Sequence, residues 1–277
     1  MGDLLLDTAV EPLGDGRFRA PVRRDWEIWG PMGGYMAGLA LRAAGVDSPF
    51  ARPASFFCHY LGVAAFEPVD LVVTTQRQAR TACSQHVSIT QHDRPILAAE
   101  IWSVGDVEGL EHHLAVAPAV PAADELPAIE ELVPDEPAPF PFWDNVESRP
   151  LDFEQEWPPP GPRPPIWRSW VRLRPTPTFQ DPWVDAVRSV ILVDVQSWPA
   201  AHRPHAWSEP PFIAPSLDLY VAFNEPAPEA EWLLADGDAP TAGHGLMGWS
   251  GRLWSPHGRL VASGGGQLLC RRIPARA

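Results

Sequence analysis

The stretch Trp29 to Gly45, WGPMGGYMAGLALRAAG, holds the first residues with chemical potential. Gly30-Pro31 turn the chain, and a helix follows whose early turns carry little side chain. The first turn of a helix leaves backbone N–H groups unbonded at its positive end, and such a start suits a carbonyl oxygen or an anion. The start near Gly33-Gly34 and a second one near Trp183 could each polarise a carbonyl in this way. His59 could act as a base, but a strand histidine among aromatics reads sooner as a satisfied core residue. His112-His113 are neighbours with no carboxylate or Cys partner at helical spacing, so no metal site is expected there. Cys58, Cys83 and Cys270 are far apart, with no CxxC, which argues against a metal site and for a reducing compartment.

The elements that must position these groups follow from periodicity. Met36, Leu39, Ala40 and Ala43 fall at spacings of three and four, one apolar helical face. Each interior Gly weakens such a helix by roughly 1 kcal/mol relative to Ala, so close backbone approach of a wrapping sheet is the expected compensation. Arg17 to Val22 alternates as a strand, and Ser55–Leu61, Val69–Gln76, Ala82–Thr90 and Pro95–Val104 follow, the last two joined by a turn at His92-Asp93-Arg94. One helix followed by antiparallel strands is an α+β pattern.

Residues 108–165 are acidic and proline-rich. Fourteen of the 34 prolines lie between Pro118 and Pro165, and PPPGPRPP at 158–165 can be neither helix nor central strand. The reading is an extended linker pinned to the surface, with a strand near Phe142–Val146. The first order then recurs: a strand at Trp167–Leu173, a helix at Trp183–Val195, and strands at Pro215–Phe223, Trp232–Ala235, Leu246–Trp254 and Leu260–Arg271, with a turn at His257-Gly258-Arg259. Pro53 to Asp93 spans 40 residues and Pro215 to Gly258 spans 43, which suggests an internal duplication. The expected units are an N-terminal one at 1–107, the linker at 108–165 and a C-terminal one at 166–277.

Bulk properties narrow the function. The 277 residues are 45% hydrophobic, enough for a sizeable core, and the net charge of −14 argues against a nucleic-acid partner. The N-terminus has no basic segment ahead of an apolar run, so no signal peptide is read, and no run approaches the ~20 apolar residues of a membrane helix. A cytoplasmic protein is expected. Thirteen tryptophans imply large rigid apolar surfaces, either core or a cleft for a long apolar ligand, with Trp26, Trp29, Trp249 and Trp254 as candidates.

GPMGGYMAGLALRAA, VESRPLD followed later by WVRLRP, APSLDLYVAFN, and WLLADGDAPTAGHGLMGWSGRLWSPHGRLVASGGGQLLCRR resemble, in order and spacing, the acyl-CoA thioesterase II family and its TesB-like relatives. The resemblance covers nearly the full chain. It implies a double hotdog: two tandem helix-wrapped antiparallel sheets forming one continuous sheet. It also implies hydrolysis of an acyl thioester without metal, cofactor or covalent intermediate, an Asp, a Thr or Ser, and a Gln holding the attacking water. The resemblance puts the Asp at Asp218. An Asp between Leu217 and Leu219 in a strand is disfavoured and calls for a reason, and a carboxylate can deprotonate a water within reach. The Thr column falls on Pro240, with Thr241 beside it, and the Gln column on Gly266, with Gln267 beside it. Such a one-residue slip turns a strand side chain to the other face. The first half has no counterpart of Asp218, so one working site per chain is expected.

Two other readings share this fold. A non-catalytic protein that binds acyl-CoA or an acyl carrier would tolerate the two slips. A hydratase or dehydratase would need an Asp–His pair about five residues apart near a helix start, which neither half has. Acyl-CoA or an acyl-carrier thioester is the implied partner. A double hotdog can stand as a monomer or pair into a homodimer through exposed sheet edges.

Overall fold

The computed structural model describes residues 1–135, 137–153, 160–205 and 212–272. Glu156, Pro158 and Pro159 of the acidic, proline-rich stretch lie outside the described residues. Twelve strands form one antiparallel sheet. In chain order they are β1 (Glu11–Gly14), β2 (Arg17–Ala20), β3 (Arg52–Tyr60), β4 (Val69–Gln78), β5 (Ala82–Gln91) and β6 (Arg94–Val104), then β7 (Val146–Pro150), β8 (Ile166–Leu173), β9 (Asp218–Phe223), β10 (Leu233–Gly243), β11 (Leu246–Trp254) and β12 (Leu260–Leu269). Their order across the sheet is β1-β2-β4-β5-β6-β3-β9-β12-β11-β10-β8-β7. β3 and β9 meet in the middle, Tyr220 opposite Phe57, and join the two halves. Two long helices, α1 (Gly33–Asp47) and α2 (Pro182–Asp194), pack on one face of this sheet.

The duplication is therefore real in three dimensions, each half being a helix wrapped by its own strands. α1 is buried nearly all round, from Gly34 to Leu41 and again at Ala43 and Ala44. A helix with no wet face must be covered on both sides. The sheet covers one side and α2 the other.

The glycines of α1 serve the second contact. A Cβ at Gly34 would lie 2.9 Å from the Cα of Ile191, and one at Gly38 would lie 2.7 Å from Val187 Cγ1. Successive α1 residues thus meet earlier and earlier α2 residues, so the helices run antiparallel. The expected close approach is present, but its partner is the other helix and not the sheet. The cost of the glycines is offset where the two backbones touch.

Three strand readings change. β10 runs to Gly243, well beyond Ala235, because a bulge between Asp238 and Thr241 absorbs Pro240, which cannot donate to a ladder. The strand expected near Phe142 is a 3-10 turn, Pro141–Asn145, and the strand follows it as β7 on the edge of the sheet. The last strand ends at Leu269, and Arg271–Arg272 pair instead with Phe212–Ile213 in a separate ribbon.

The core is one large cluster between helices and sheet, with Trp26, Tyr35 and Phe142 among its fully buried side chains. Trp26 stacks on Tyr35 at 5.5 Å between centroids and donates from Nε1 to Asp7 Oδ2 at 3.0 Å. Trp254 sits with Trp170 and Leu234 in a smaller cluster under residues 117–126. Both tryptophans are thus packing residues, not cleft lining. Among the described residues no helix is long and apolar enough to cross a membrane.

Candidate active site

Asp218, Thr241 and Gln267 do come together. They line one wide, shallow cavity of about 550 Å³ with Trp249, Tyr220 and Phe57. The bulge in β10 sets Thr241 opposite Gly248, and Gly248 faces Gln267 on the next strand. The bare α-carbon of Gly248 leaves room there: a Cβ would lie 3.3 Å from Gln267 Nε2 and 3.5 Å from Thr241 Oγ1. Asp218 Oδ1 accepts from the backbone N–H of Gln267 at 2.9 Å. Alternation fixes the face. Leu219 and Val221 point into the core, so Asp218 and Tyr220 point away from the helices. Thr241 and Gln267 are both exposed, and the trio stands on the open, outer face of the sheet.

His59 is also outside. It pairs with Asp218 across the β3–β9 seam, is exposed, and touches the edge of Phe57 at 4.8 Å. The expected core position belongs to its strand neighbours Phe56 and Cys58, one step out of phase.

A second carboxylate has a different setting. Asp194 is the last residue of α2 and is 6% exposed. Antiparallel packing brings it against the start of α1, where the Gly34 N–H donates to its Oδ2 at 2.7 Å. Ser216 Oγ is 3.5 Å from Oδ1, a long contact. Burial raises the Asp194 carboxyl to about 6, and the Gly34 and Ser216 hydrogen bonds only partly oppose that rise. The group is therefore a base near neutral pH, whereas an ordinary surface Asp is too weak a one.

Asp194, Gly33, Tyr60 and Ser216 line a half-open cavity of about 260 Å³ between the helix ends and the sheet. Most of the rest of its wall is apolar, including Met32, Met36, Ile96, Phe140 and Trp143, with Ser197 the other polar side chain. Trp29 also lines the cavity. It is 45% exposed, sits edge-on to Trp198 at 5.5 Å and to Phe140 at 6.5 Å, and has a φ of 56°. That backbone region is an outlier for so bulky a residue, and the aromatic contacts hold it there. Beyond Trp198 a further cavity of about 550 Å³ is lined by His202, Phe212, Leu246, Met247 and Cys270.

The helix start at Gly33-Gly34 thus reaches a cavity, as its chemistry suggested, and Trp29 lines that cavity. Near Trp183, by contrast, Pro182 lines only a small space of about 30 Å³, and Asp181 accepts from Trp183 N at 2.8 Å. Asp194 and Ser216 were missed. The available signal was an acid inside the apolar run Val190–Val195, where a buried charge demands a partner. Among the described residues no group of three or more His, Cys, Asp or Glu side chains could hold a metal ion.

The family model for the acyl-CoA thioesterase N-terminal domain matches residues 22–104, and that for the C-terminal domain matches residues 118–267. Curated protein sequences yield no match. Among solved structures, the acyl-CoA thioesterase II TesB2 of Mycobacterium marinum superimposes with a TM-score of 0.80 at 23% identity, over 98% of this chain and 99% of that one. A conserved hot dog fold protein of Alicyclobacillus acidocaldarius gives 0.82 at 20% identity, over 99% and 100%. A thioesterase-like protein of Novosphingobium aromaticivorans gives 0.76 at 24% identity, over 94% and 98%. These likenesses establish the double hotdog fold, and the two domain matches, which together cover most of the chain, show that it belongs to the acyl-CoA thioesterase family and is a thioester hydrolase.

Proposed function

We propose that the chain hydrolyses acyl-CoA thioesters in the half-open Asp194 cavity, with Asp194 as the general base. One observation carries this: a buried carboxylate, raised to about 6, stands where an apolar cavity meets the start of a helix. The acyl group occupies the aromatic-lined cavity, and the thioester carbonyl lies by Gly33. Asp194 takes a proton from water, whose oxygen attacks the carbonyl carbon while the π pair moves to oxygen. Collapse of that oxyanion breaks the C–S bond. The CoA thiolate leaves and recovers the proton from Asp194, so acid and thiol are released with no group left on the protein.

Asp194→Asn tests it: turnover lost with the fold retained supports the reading, and turnover retained ends it.

The second reading keeps the base at Asp218, with Thr241 and Gln267 placing the water. Their convergence on one cavity favours it. Its weakness is exposure, because on an open face water screens each charge and competes for each hydrogen bond. Asp218→Asn separates the two. A non-catalytic acyl-CoA binder on this fold would release no thiol at all.

A cytoplasmic setting completes the proposal, supported by three cysteines that all stand free. Pairing of two copies is part of it too, through the exposed edge strand β1. Size-exclusion chromatography with light scattering tests the pairing.

A further inference from the structure

Tyr60 ends β3 on the inner face of the sheet, in phase with the buried Phe56 and Cys58. Its hydroxyl oxygen is fully enclosed and has no nitrogen or oxygen partner, its polar neighbour being the weakly bonding Cys58 thiol two residues back on the same strand. An enclosed hydroxyl without a strong partner is costly and calls for an explanation, and one that lines a cavity has a bound ligand as a candidate partner. Tyr60 lines the same cavity as Asp194. The two polar groups converge on Gly33, where a Cβ would lie 3.0 Å from Tyr60 Oη and 3.2 Å from Asp194 Oδ2. Only a bare α-carbon leaves this corner open.

We propose that Tyr60 is a catalytic residue, its hydroxyl donating a hydrogen bond to the thioester carbonyl oxygen as that oxygen becomes an oxyanion. This rests on the assignment of the reaction to the Asp194 cavity. The phenol is suited to the task. Burial holds its ionisation well above the ordinary tyrosine range, so it remains a donor at any working pH and cannot compete with Asp194 as the base. The division of labour is then clear. Asp194 takes the proton from water, and the π pair displaced by the attacking oxygen comes to rest on an oxygen held by Tyr60. The same hydrogen bond loosens when the C–S bond breaks and the carbonyl re-forms. A partner that appears only with substrate explains why the hydroxyl has no oxygen or nitrogen partner without it.

The test is Tyr60→Phe, which removes one oxygen and keeps the ring. kcat on the best member of an acyl-CoA panel is expected to fall on the order of 10²-fold, with KM changed less than about threefold. Affinity for a trifluoromethyl ketone analogue of acyl-CoA, whose hydrate carries an oxyanion, should fall in parallel. Affinity for the thioether analogue, which has no carbonyl at the reacting position, should not. The melting temperature should stay level or rise, because a buried group without a strong partner is gone. A kcat within about threefold of wild type overturns the proposal, as does a melting temperature that falls with activity, or equal loss of both analogues. Asp194→Asn run beside it separates the failures. If it is inactive while Tyr60→Phe is not, only the role of Tyr60 falls. If it is active, both assignments fall.

Discussion

The antiparallel helix pair has two ends, and each end presents a carboxylate that closes a helix. At one end Asp194 finishes α2 against Gly33 and Gly34 of α1. At the other Asp47 finishes α1 beside the start of α2. Duplication makes the two alike, and packing makes them differ. At the Asp194 end two glycines and a tyrosine leave a cavity. At the Asp47 end the Trp183 ring occupies that place, so close to Gly45 that a Cβ there would lie 2.6 Å from it. Trp183 donates from Nε1 to Phe50 O at 3.3 Å, and Asp181 covers the helix start. Asp47 is left exposed and accepts from Gln85 Nε2 at 3.0 Å. A carboxylate at a helix end is common. One held out of water beside an open apolar space is a base.

The comparison is best broken at the carboxylates. Asp194→Asn should lower kcat/KM by at least about 10³-fold, within the range of lost general-base catalysis, while Asp47→Asn stays within about twofold. Stability moves the opposite way. The Asp194 carboxyl is raised from 3.8 to about 6 in the folded protein. The folded state then binds more protons than the unfolded chain between those values. The stability this contributes is fully present below the unfolded value and is lost as pH rises through about 6. That amounts to about 3 kcal/mol lost between pH 3 and pH 7, a drift that chemical denaturation should show in wild type and not in Asp194→Asn.

Glycine changes come next. Gly34→Ala would drive a methyl into Ile191 and Asp194, with expected costs of about 1–3 kcal/mol in stability and a roughly tenfold or greater loss of kcat. Gly45→Ala meets the Trp183 ring instead and should cost comparable stability at nearly unchanged kcat. Denaturant melts and steady-state rates on both variants decide this.

The pH profile sharpens the same contrast. kcat/KM should fall about tenfold per unit below pH 6, where Asp194 becomes protonated, and level off above pH 7. The smallest effect concerns the substrate. Trp198 lines both the Asp194 cavity and its larger neighbour. Trp198→Ala should join the two and shift the optimum to longer acyl chains by several-fold in relative kcat/KM, read from a chain-length panel.

Much of the fold was legible. Periods of 3.6 and 2, and the recurrence of their order, located both helices and most strands, because burial writes itself into spacing. β10 was hidden because Gly237, Asp238 and Pro240 spell a turn, and only a bulge reconciles them with a strand. The α1 glycines announced close approach without naming the partner, since one sequence cannot say which surface arrives. The trio Asp218, Thr241 and Gln267 was found to converge, and both one-residue slips land on the same face because the bulge corrects the first. Asp194 was harder. Inside VILVDV it reads as a polar helix end, and its chemistry depends on Gly34, 160 residues away.

Thiol release from short, medium, long and aryl acyl-CoAs, with Asp194→Asn and Asp218→Asn side by side, tests the central claim most directly. Turnover on part of the panel is expected, abolished by Asp194→Asn and kept within a few-fold by Asp218→Asn. The reverse pattern would move the reaction to the open face of the sheet and contradict the assignment of Asp194.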